Sequence, residues 1–334
     1  MAAFDAAEVL RRLSGRLKMR HLILLLSIRQ HGSLTRAAEH MASSQPAITN
    51  ALAELENMFG APLFDRSVRG MAPTALGEVV LARARAMVND LGHLVQDMEA
   101  VASGHGAHVH VGVTPFVSGH ILSAAMQRAP AAGETRVSVS IHEGNSDQLL
   151  AQLRDHTVDI VIGRASSATD VKHIAFEVLY RQTPRLIASR RLAAQLSRGP
   201  LNWQALAELD WILGAPLTPI REQVTDLFLS AGLTPPAPVV ESHSSKLIGE
   251  LIVGSSRAVS IVPADIADEL VRIAGVAVVP YSFEWTLPPI AMFMRAQGPR
   301  RTAEQHFATA LRDTCKSLYG DPAPDATNPP RGWV

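Results

Sequence analysis

A single cysteine, Cys315, serves the whole chain, which excludes an intramolecular disulfide, a cysteine-based zinc cluster and a two-cysteine redox switch. An excess of charge of one sign is also missing. Basic and acidic residues both number 31, so bulk charge gives no argument for a nucleic-acid partner, and any such binding has to come from a local field. Long apolar runs are lacking. The run HLILLLSI at residues 21–28 is too short to cross a bilayer, Arg29 and Gln30 follow it, and no small-residue cleavage site accompanies a secretory core. A cytoplasmic location and no membrane partner are therefore expected. Catalytic motifs are missing too. There is no serine nucleophile elbow, GHGAHVHVG at residues 104–112 is not a phosphate-cradling loop, and no paired carboxylates stand in a motif, so no enzyme is expected. With 334 residues the chain can hold two or three compact units with real cores.

The most informative stretch is residues 32–74. Leu34, Ala37, Ala38 and Met41 recur at i, i+3, i+4 and i+7, one apolar stripe on a short helix. A turn at Ala42 and Ser43 follows, then Ser44 as a helix cap, with Pro46 in the first turn, where its missing N–H costs little. On this second helix Ile48, Leu52, Leu55 and Phe59 form the buried stripe, Pro46, Asn50, Ala53 and Asn57 point the other way, and Gly60 ends it. Two short helices joined by a tight turn suit a helix-turn-helix whose second helix lies in the major groove. Asn50 is the expected base reader, because a side-chain amide pairs bidentately with adenine, and Ser44, Gln45 and Thr49 suit phosphate or mixed contacts. Arg66 and Arg69 around Gly70 suit a basic hairpin against the phosphate backbone. Residues 16–73 hold seven Lys/Arg against four Asp/Glu, a local net of +3.

AAEHM, SQPAITNALAELE, PLFDR, RG and PTALGE occur in the order and spacing of the LysR-type transcriptional regulators, and the chain resembles that family from about residue 18 to about residue 318. The wording RGMAPTALGE is most similar to regulators of aromatic-acid and sugar catabolism. The resemblance implies a winged helix-turn-helix at residues 18–74, with Ser44, Gln45, Pro46, Thr49, Asn50, Ala53, Arg66 and Arg69 at the DNA. It also implies a dimer or tetramer and promoter DNA and RNA polymerase as partners. Ala53 is shorter than the polar side chain many relatives carry there, so the base code here rests on few residues.

Around that stretch the chain is organised as follows. Residues 1–17 extend beyond the usual start of the family pattern and read as a frayed helix or an arm on DNA, the frayed helix being favoured. A first helix from Met19 to Gln30 packs Leu22, Leu25 and Leu26 inward. Thr74 caps a long helix to about Ala102, within a linker at residues 75–106. Its Val80, Ala84, Met87, Leu91, Leu94, Met98 and Val101 alternate spacings of four and three, a heptad seam rather than the broader stripe of an ordinary amphipathic helix. A seam needs a partner helix, so Val80, Met87, Leu91, Leu94 and Met98 are the expected dimerisation residues, and two readers on one coil fit two half-sites.

After Gly104 and Gly106 the pattern alternates. Strand-like HVHVGV, RVSVSIH, VDIVIG and PRLIAS, with helical ILSAAMQRA and SDQLLAQLRDH, predict a parallel sheet covered on both faces. WIL, PVVES, AVSIVP and VAVVP form a second set with helices between them, and PPIAMFMR and a helix from Thr302 to Leu318 return to the first. The resemblance implies a two-lobed α/β effector domain similar to periplasmic binding proteins over residues 107–318. Lobe I takes about 107–182 and 284–318, lobe II about 183–283. Residues 319–334, rich in proline, are expected to be disordered.

Loops at strand ends supply candidate ligand groups. They are Thr114 and Pro115, then Gly144, Asn145 and Ser146, then Arg164, then Pro216, Leu217, Thr218 and Ile220, and finally Ser242, His243, Ser244 and Ser245. Each is also an ordinary cap or turn residue. The resemblance places the ligand between the lobes and carries an effector role onto Thr114, the loop at Asn145, Arg164, Thr218 and Ser244, with Pro115 and Ser242 beside them. The expected effector is a small aromatic or sugar acid whose carboxylate meets Arg164 and the hydroxyls, and no cofactor is expected. Two other readings stand beside this one. His105, His108 and His110 raise metal sensing, but their spacing fixes no tetrahedral set and no cysteine completes one. Residues 108–318 alone would suit a transport-type solute-binding protein, against which the N-terminal reader and the missing signal peptide speak.

Overall fold

Helices and one hairpin make up the chain as far as residue 102, in a computed structural model that describes residues 5–67, 70–128, 137–164, 173–216, 218–297 and 300–321. The order is α1 (Ala6–Arg16), α2 (Met19–His31), α3 (Leu34–His40), α4 (Gln45–Phe59), β1 (Phe64–Ser67), β2 (Gly70–Pro73) and α5 (Ala75–Ala102). Local chemistry sets the boundaries. Asp5 accepts from the N–H groups of Ala7 and Glu8, Ser44 from Ala47, and Thr74 from Gly77 at 3.0 Å. Gly32 and Gly60 close α2 and α4 in the left-handed region.

The core of this unit joins Leu24, Leu25 and Ile28 of α2, Ala37 and Ala38 of α3, Ile48, Leu52 and Leu55 of α4, Leu63 and Phe64 at the hairpin, and Val80 and Leu81 of α5. Two details differ from the sequence pattern. Leu26 is only half-buried while Leu24 and Ile28 are fully buried, because α2 packs against α3, α4 and α5 at once and so buries more than one face. At the end of α4 Met58 is buried and Phe59 only partly.

Two compact units result, one of Met1–Ser103 with Arg154–Thr157, the other of Gly104–Leu153 and Val158–Val334. The second contains β3 (Ala107–Val113), α6 (Gly119–Arg128), β4 (Val137–Glu143), α7 (Ser146–Arg154), β5 (Ile160–Arg164), β6 (Ile174–Tyr180), β7 (Pro184–Ala188), α8 (Arg190–Leu196), α9 (Trp203–Ala207), β8 (Asp210–Leu213), α10 (Pro219–Ser230), β9 (Val240–Glu241), α11 (Ser245–Val253), β10 (Ala258–Pro263), α12 (Ala264–Ile273), β11 (Ala277–Val278), β12 (Ile290–Arg295) and α13 (Thr302–Tyr319). Two five-stranded sheets form, ordered β4-β3-β5-β12-β6 and β11-β7-β10-β8-β9. The chain passes from the first to the second between β6 and β7, and back between β11 and β12.

The expected parallel sheets are in fact mixed. β3, β4 and β5 are parallel, but β12 runs antiparallel to both β5 and β6, and β7 antiparallel to β10 and β11. The reason is topological: β7 and β12 each arrive from the other lobe with no crossover helix, and so enter their sheets from the opposite end. β6, which the sequence pattern does not mark as a strand, is an edge strand whose Glu177 is held in a two-pronged ion pair by Arg312 of α13 at 2.6 and 2.8 Å. Beneath β5 the carboxylate of Asp159, almost fully buried, accepts from the His110 N–H, Arg295 and Arg301, which ties three segments of this lobe together. The expected tail falls largely in residues 322–334, outside the described residues.

The hairpin and α5 touch at one point that tolerates no side chain. A Cβ on Gly77 would lie 1.9 Å from the Leu63 carbonyl oxygen. Gly77→Ala is expected to destabilise the N-terminal unit by about 2 to 3 kcal/mol through backbone displacement, read as a lower urea midpoint for that unit.

Candidate functional site

On α4 the buried stripe leaves Ser44, Gln45, Pro46, Asn50, Ala53 and Asn57 exposed, with Thr49 half-buried. Gln45 and Thr49 satisfy each other: the Gln45 amide donates to Thr49 Oγ1 at 2.9 Å, and that hydroxyl donates to the Gln45 carbonyl at 2.9 Å. The Asn50 amide makes no hydrogen bond among the described residues, so both its donor and its acceptor remain available to a base edge. Arg66 is exposed on β1, while Arg69 lies outside the described residues. Backbone contacts help to position the hairpin, beside the Glu56 carboxylate that accepts from the Leu63 and Phe64 N–H groups. Met71 N–H donates to the Gly32 carbonyl at 2.9 Å, and Gly70, at φ 114°, comes so near that a Cβ would sit 2.5 Å from the same oxygen.

Along α5 the apolar positions divide. Val80 belongs to the core of this unit and Ala84 is buried, so Val80 is already used within its own chain. From there Met87 (50% exposed), Leu91 (42%), Leu94 (54%), Met98 (63%) and Val101 (64%) remain open to solvent at the heptad spacing, with Val95 beside them.

In the second unit, the strand ends and crossings converge at the lobe junction. Thr114 is buried, its N–H and hydroxyl both directed at the Ile162 carbonyl, and Pro115 is half-buried beside it. Phe116 follows at φ 65°, an unfavourable backbone state for an aromatic residue. It packs against both apolar clusters of the second lobe, and its ring meets His243 edge-on with centroids 6.4 Å apart. Arg164 ends β5 and donates to the Pro288 carbonyl at 2.5 Å and to the Gln182 side-chain oxygen. Gln182 in turn donates to the Phe116 carbonyl at 3.2 Å and to both Asp265 oxygens, at 2.6 and 2.7 Å. Burial lowers the Arg164 pKa to about 10 and lifts the Asp265 carboxyl above its usual range. Arg164 therefore lies in a chain of polar contacts that links β5, both crossing segments and the start of α12.

The other candidates have local partners. Asn145 caps α7: its side chain accepts from Gln148 N–H at 2.9 Å, and its own N–H donates to the Gln148 side chain. Thr218 donates to the Ala215 carbonyl at 2.8 Å, Ser242 Oγ accepts from Ser244 N–H, and Ser244 Oγ accepts from Leu247 N–H. His243 Nε2 accepts from Ala215 N–H at 3.3 Å, which brings the loops after β8 and β9 together under Phe116. Leu217 is outside the described residues. The sequence pattern did not pick out Phe116, Gln182 or Asp265. Gln182 and Asp265 carry no motif, and a positive φ at phenylalanine has no sequence signal. His108 and His110 do share a strand face, rings 4.7 Å apart, and are bonded to Ser140 and His142. No group of three or more metal-ligating side chains suited to a metal ion occurs among the described residues.

A free recognition face on a helix-turn-helix, joined in sequence to a two-lobed α/β unit with loops converging at the lobe junction, defines the class: a DNA-binding regulator with a ligand-binding domain. The family model described as bacterial regulatory helix-turn-helix protein, lysR family, matches residues 19–78, and that of the LysR substrate binding domain matches residues 102–316. The chain belongs to the LysR family of transcriptional regulators. It is similar to the HTH-type transcriptional regulator PcaQ of Agrobacterium fabrum, 30% identical over 314 residues, which cover 91% of this chain and 97% of that one. In fold it is similar to CbnR in complex with its target DNA, with a TM-score of 0.59 at 22% identity, covering 89% of this chain and all of that one. It is likewise similar to LysG of Corynebacterium glutamicum with bound effector Arg, with a TM-score of 0.56 at 20% identity, covering 90% and 99%. No described helix is long and apolar enough to cross a membrane.

Asn50→Ala is expected to reduce discrimination between a selected site and random DNA by about 1 to 3 kcal/mol. Arg66→Ala is expected to weaken binding to both and lower the salt slope by about 0.9. Competition binding at fixed salt, followed by a salt titration, separates the two, and equal effects of the two variants on both DNAs would remove the assigned roles.

Proposed function

We propose that this regulator acts in the cytoplasm as a dimer or a tetramer that reads two half-sites of an interrupted palindrome and passes an effector signal to RNA polymerase. The observation behind the assembly is the open stripe Met87, Leu91, Leu94 and Met98 on α5. Paired across two chains, it forms a coiled coil that places two α4 helices for two half-sites. Leu91→Glu with Leu94→Glu is expected to give monomers by analytical ultracentrifugation and to abolish cooperative occupancy of paired half-sites. A variant that sediments as the unmodified protein does would refute the seam.

The effector reading rests on the network at the lobe junction. A small anionic molecule, an aromatic or sugar acid, would enter near Thr114, Pro115, Thr218, Ser242 and Ser244. Asn145, already bonded as a helix cap, is the weakest of the candidate ligands. The carboxylate of the effector would compete with Gln182 and Asp265 for Arg164. Such an exchange alters contacts between the lobes, and a ligand biases an equilibrium only through a difference of this kind. Arg164→Ala is expected to leave operator binding intact, blunt the ligand response, and cost about 1 to 3 kcal/mol by leaving the Pro288 and Gln182 oxygens without a donor. Titration calorimetry of both proteins with a panel of aromatic and sugar acids tests it. Absence of heat with every acid on the unmodified protein would remove the anionic-effector reading.

A further inference from the structure

α1 lies ahead of the helix-turn-helix match, which begins at residue 19. The sequence leaves α1 open between a frayed helix and an arm on DNA. In the structure it is a formed helix of 11 residues, capped by Asp5. An isolated helix of that length is marginal in water, so docking must hold it in place. It docks on α4: Val9 and Leu13 are half-buried, and Arg12 Nη1 donates to the Asn57 carbonyl at 3.4 Å. Asn57 stands on the exposed line of α4 that also carries Asn50 and Ala53. α1 is thus attached beside the far end of the face that reads DNA.

The charge on α1 suits that place. Within residues 5–20 the cations Arg11, Arg12, Arg16, Lys18 and Arg20 stand against Asp5 and Glu8, five minus two, for a net of +3. Asp5 is used as the cap, and the single carboxylate of Glu8 is shared by Arg11 and Arg12. The Arg11 side chain is 79% exposed. Arg16, one turn beyond Arg12 and so on the same flank, is exposed and makes no ion pair among the described residues. A partner able to satisfy spaced, solvent-facing guanidinium groups next to a base-reading face is a row of phosphates.

We propose that α1 is a second phosphate-contacting element, with Arg11 and Arg16 engaging the DNA backbone that flanks the segment occupied by α4. The inference rests on the reading of α4 as the groove-entering helix. It extends the interface to a part of the chain outside the helix-turn-helix module and makes the bound segment longer than that module alone would cover.

The test uses the full-length protein and a random-sequence duplex, with affinity measured across a salt series. Arg11→Gln/Arg16→Gln is compared with Arg66→Gln on the hairpin and with Arg191→Gln/Arg198→Gln, which removes the same charge from exposed positions in the other unit. Each phosphate contact contributes about 0.9 to the slope of log affinity against log salt. The α1 variant is therefore expected to lose about 1.8 of slope, so that the fall in its affinity between about 50 and 200 mM salt shrinks on the order of ten-fold. Its thermal midpoint and helical circular dichroism should match the unmodified protein. An unchanged slope in the α1 variant, alongside a lowered slope for Arg66→Gln, overturns the proposal and leaves the groove reading standing. If Arg66→Gln also leaves the slope unchanged, both fall. An equal loss in the Arg191/Arg198 control would reduce the effect to net charge and overturn the proposal as well.

Discussion

The N-terminal unit depends on α4 burying one side and no more. Ile48, Leu52 and Leu55 enter the shared core and Met58 is buried as well, and α2, α3, the hairpin and α5 are all fastened to that core. Because those four side chains satisfy the apolar demand of the helix, its opposite side can stay small and polar without loss of stability. A reading helix has to be rigid while its reading face stays unsatisfied, and burial of a single stripe achieves both. The backbone contacts of the hairpin serve the same end. Gly70 against the Gly32 carbonyl and Gly77 against the Leu63 carbonyl fix the hairpin and α5 to the ends of this core without side chains that could shift.

The second unit is organised around a different constraint: two sheets joined by two strands of chain must be held together by polar groups that cannot be left unpaired. Arg164, Gln182 and Asp265 come from a strand end, a crossing segment and a helix start, and each depends on the next. Burial has moved both ionisable members toward neutrality, Arg164 downward and Asp265 upward. Such a network costs more when half-satisfied than when complete, so it favours discrete arrangements over a continuum. Phe116, held at a positive φ while it packs onto the second lobe, stores conformational strain at the same junction.

Much of this was legible in the sequence, and the residues that were legible share a cause. α3, α4 and α5 announce themselves by apolar stripes, α4 and α5 also by the caps Ser44 and Thr74, α10 to α13 fall between strands where helical runs were read, and the helix-turn-helix becomes specific through the ordered motifs that follow it. The exposure of Asn50 was legible for the same reason, since the side opposite a well-defined apolar stripe is defined too. β6 was not, because an edge strand with Glu177 bonded to α13 lacks clean alternation, and α8 and α9 are too short to develop a period. Arg164 was legible as a charge at a strand end, but not its neighbours. The groups that surround it come from positions 18, 101 and 124 residues later in the chain, and only the crossing of the lobes brings them together. Val80 fits the heptad of α5, yet belongs to the core of its own unit, because a repeat does not say where the intramolecular contact ends and the intermolecular one begins.

These two constraints also bear on how a signal could pass along the chain. α4 is rigid within its unit, so a ligand gains little by deforming it. The lobe junction differs: there the positive φ of Phe116 and the buried polar chain of Arg164, Gln182 and Asp265 lie in one small region. Couplings between ligand and DNA sites in regulators are typically about 1 to 3 kcal/mol. Re-pairing one buried guanidinium and relaxing one strained φ amount to energies of that order, about 1 to 3 kcal/mol each. A switch assembled from those two changes therefore needs no unfolding of either lobe.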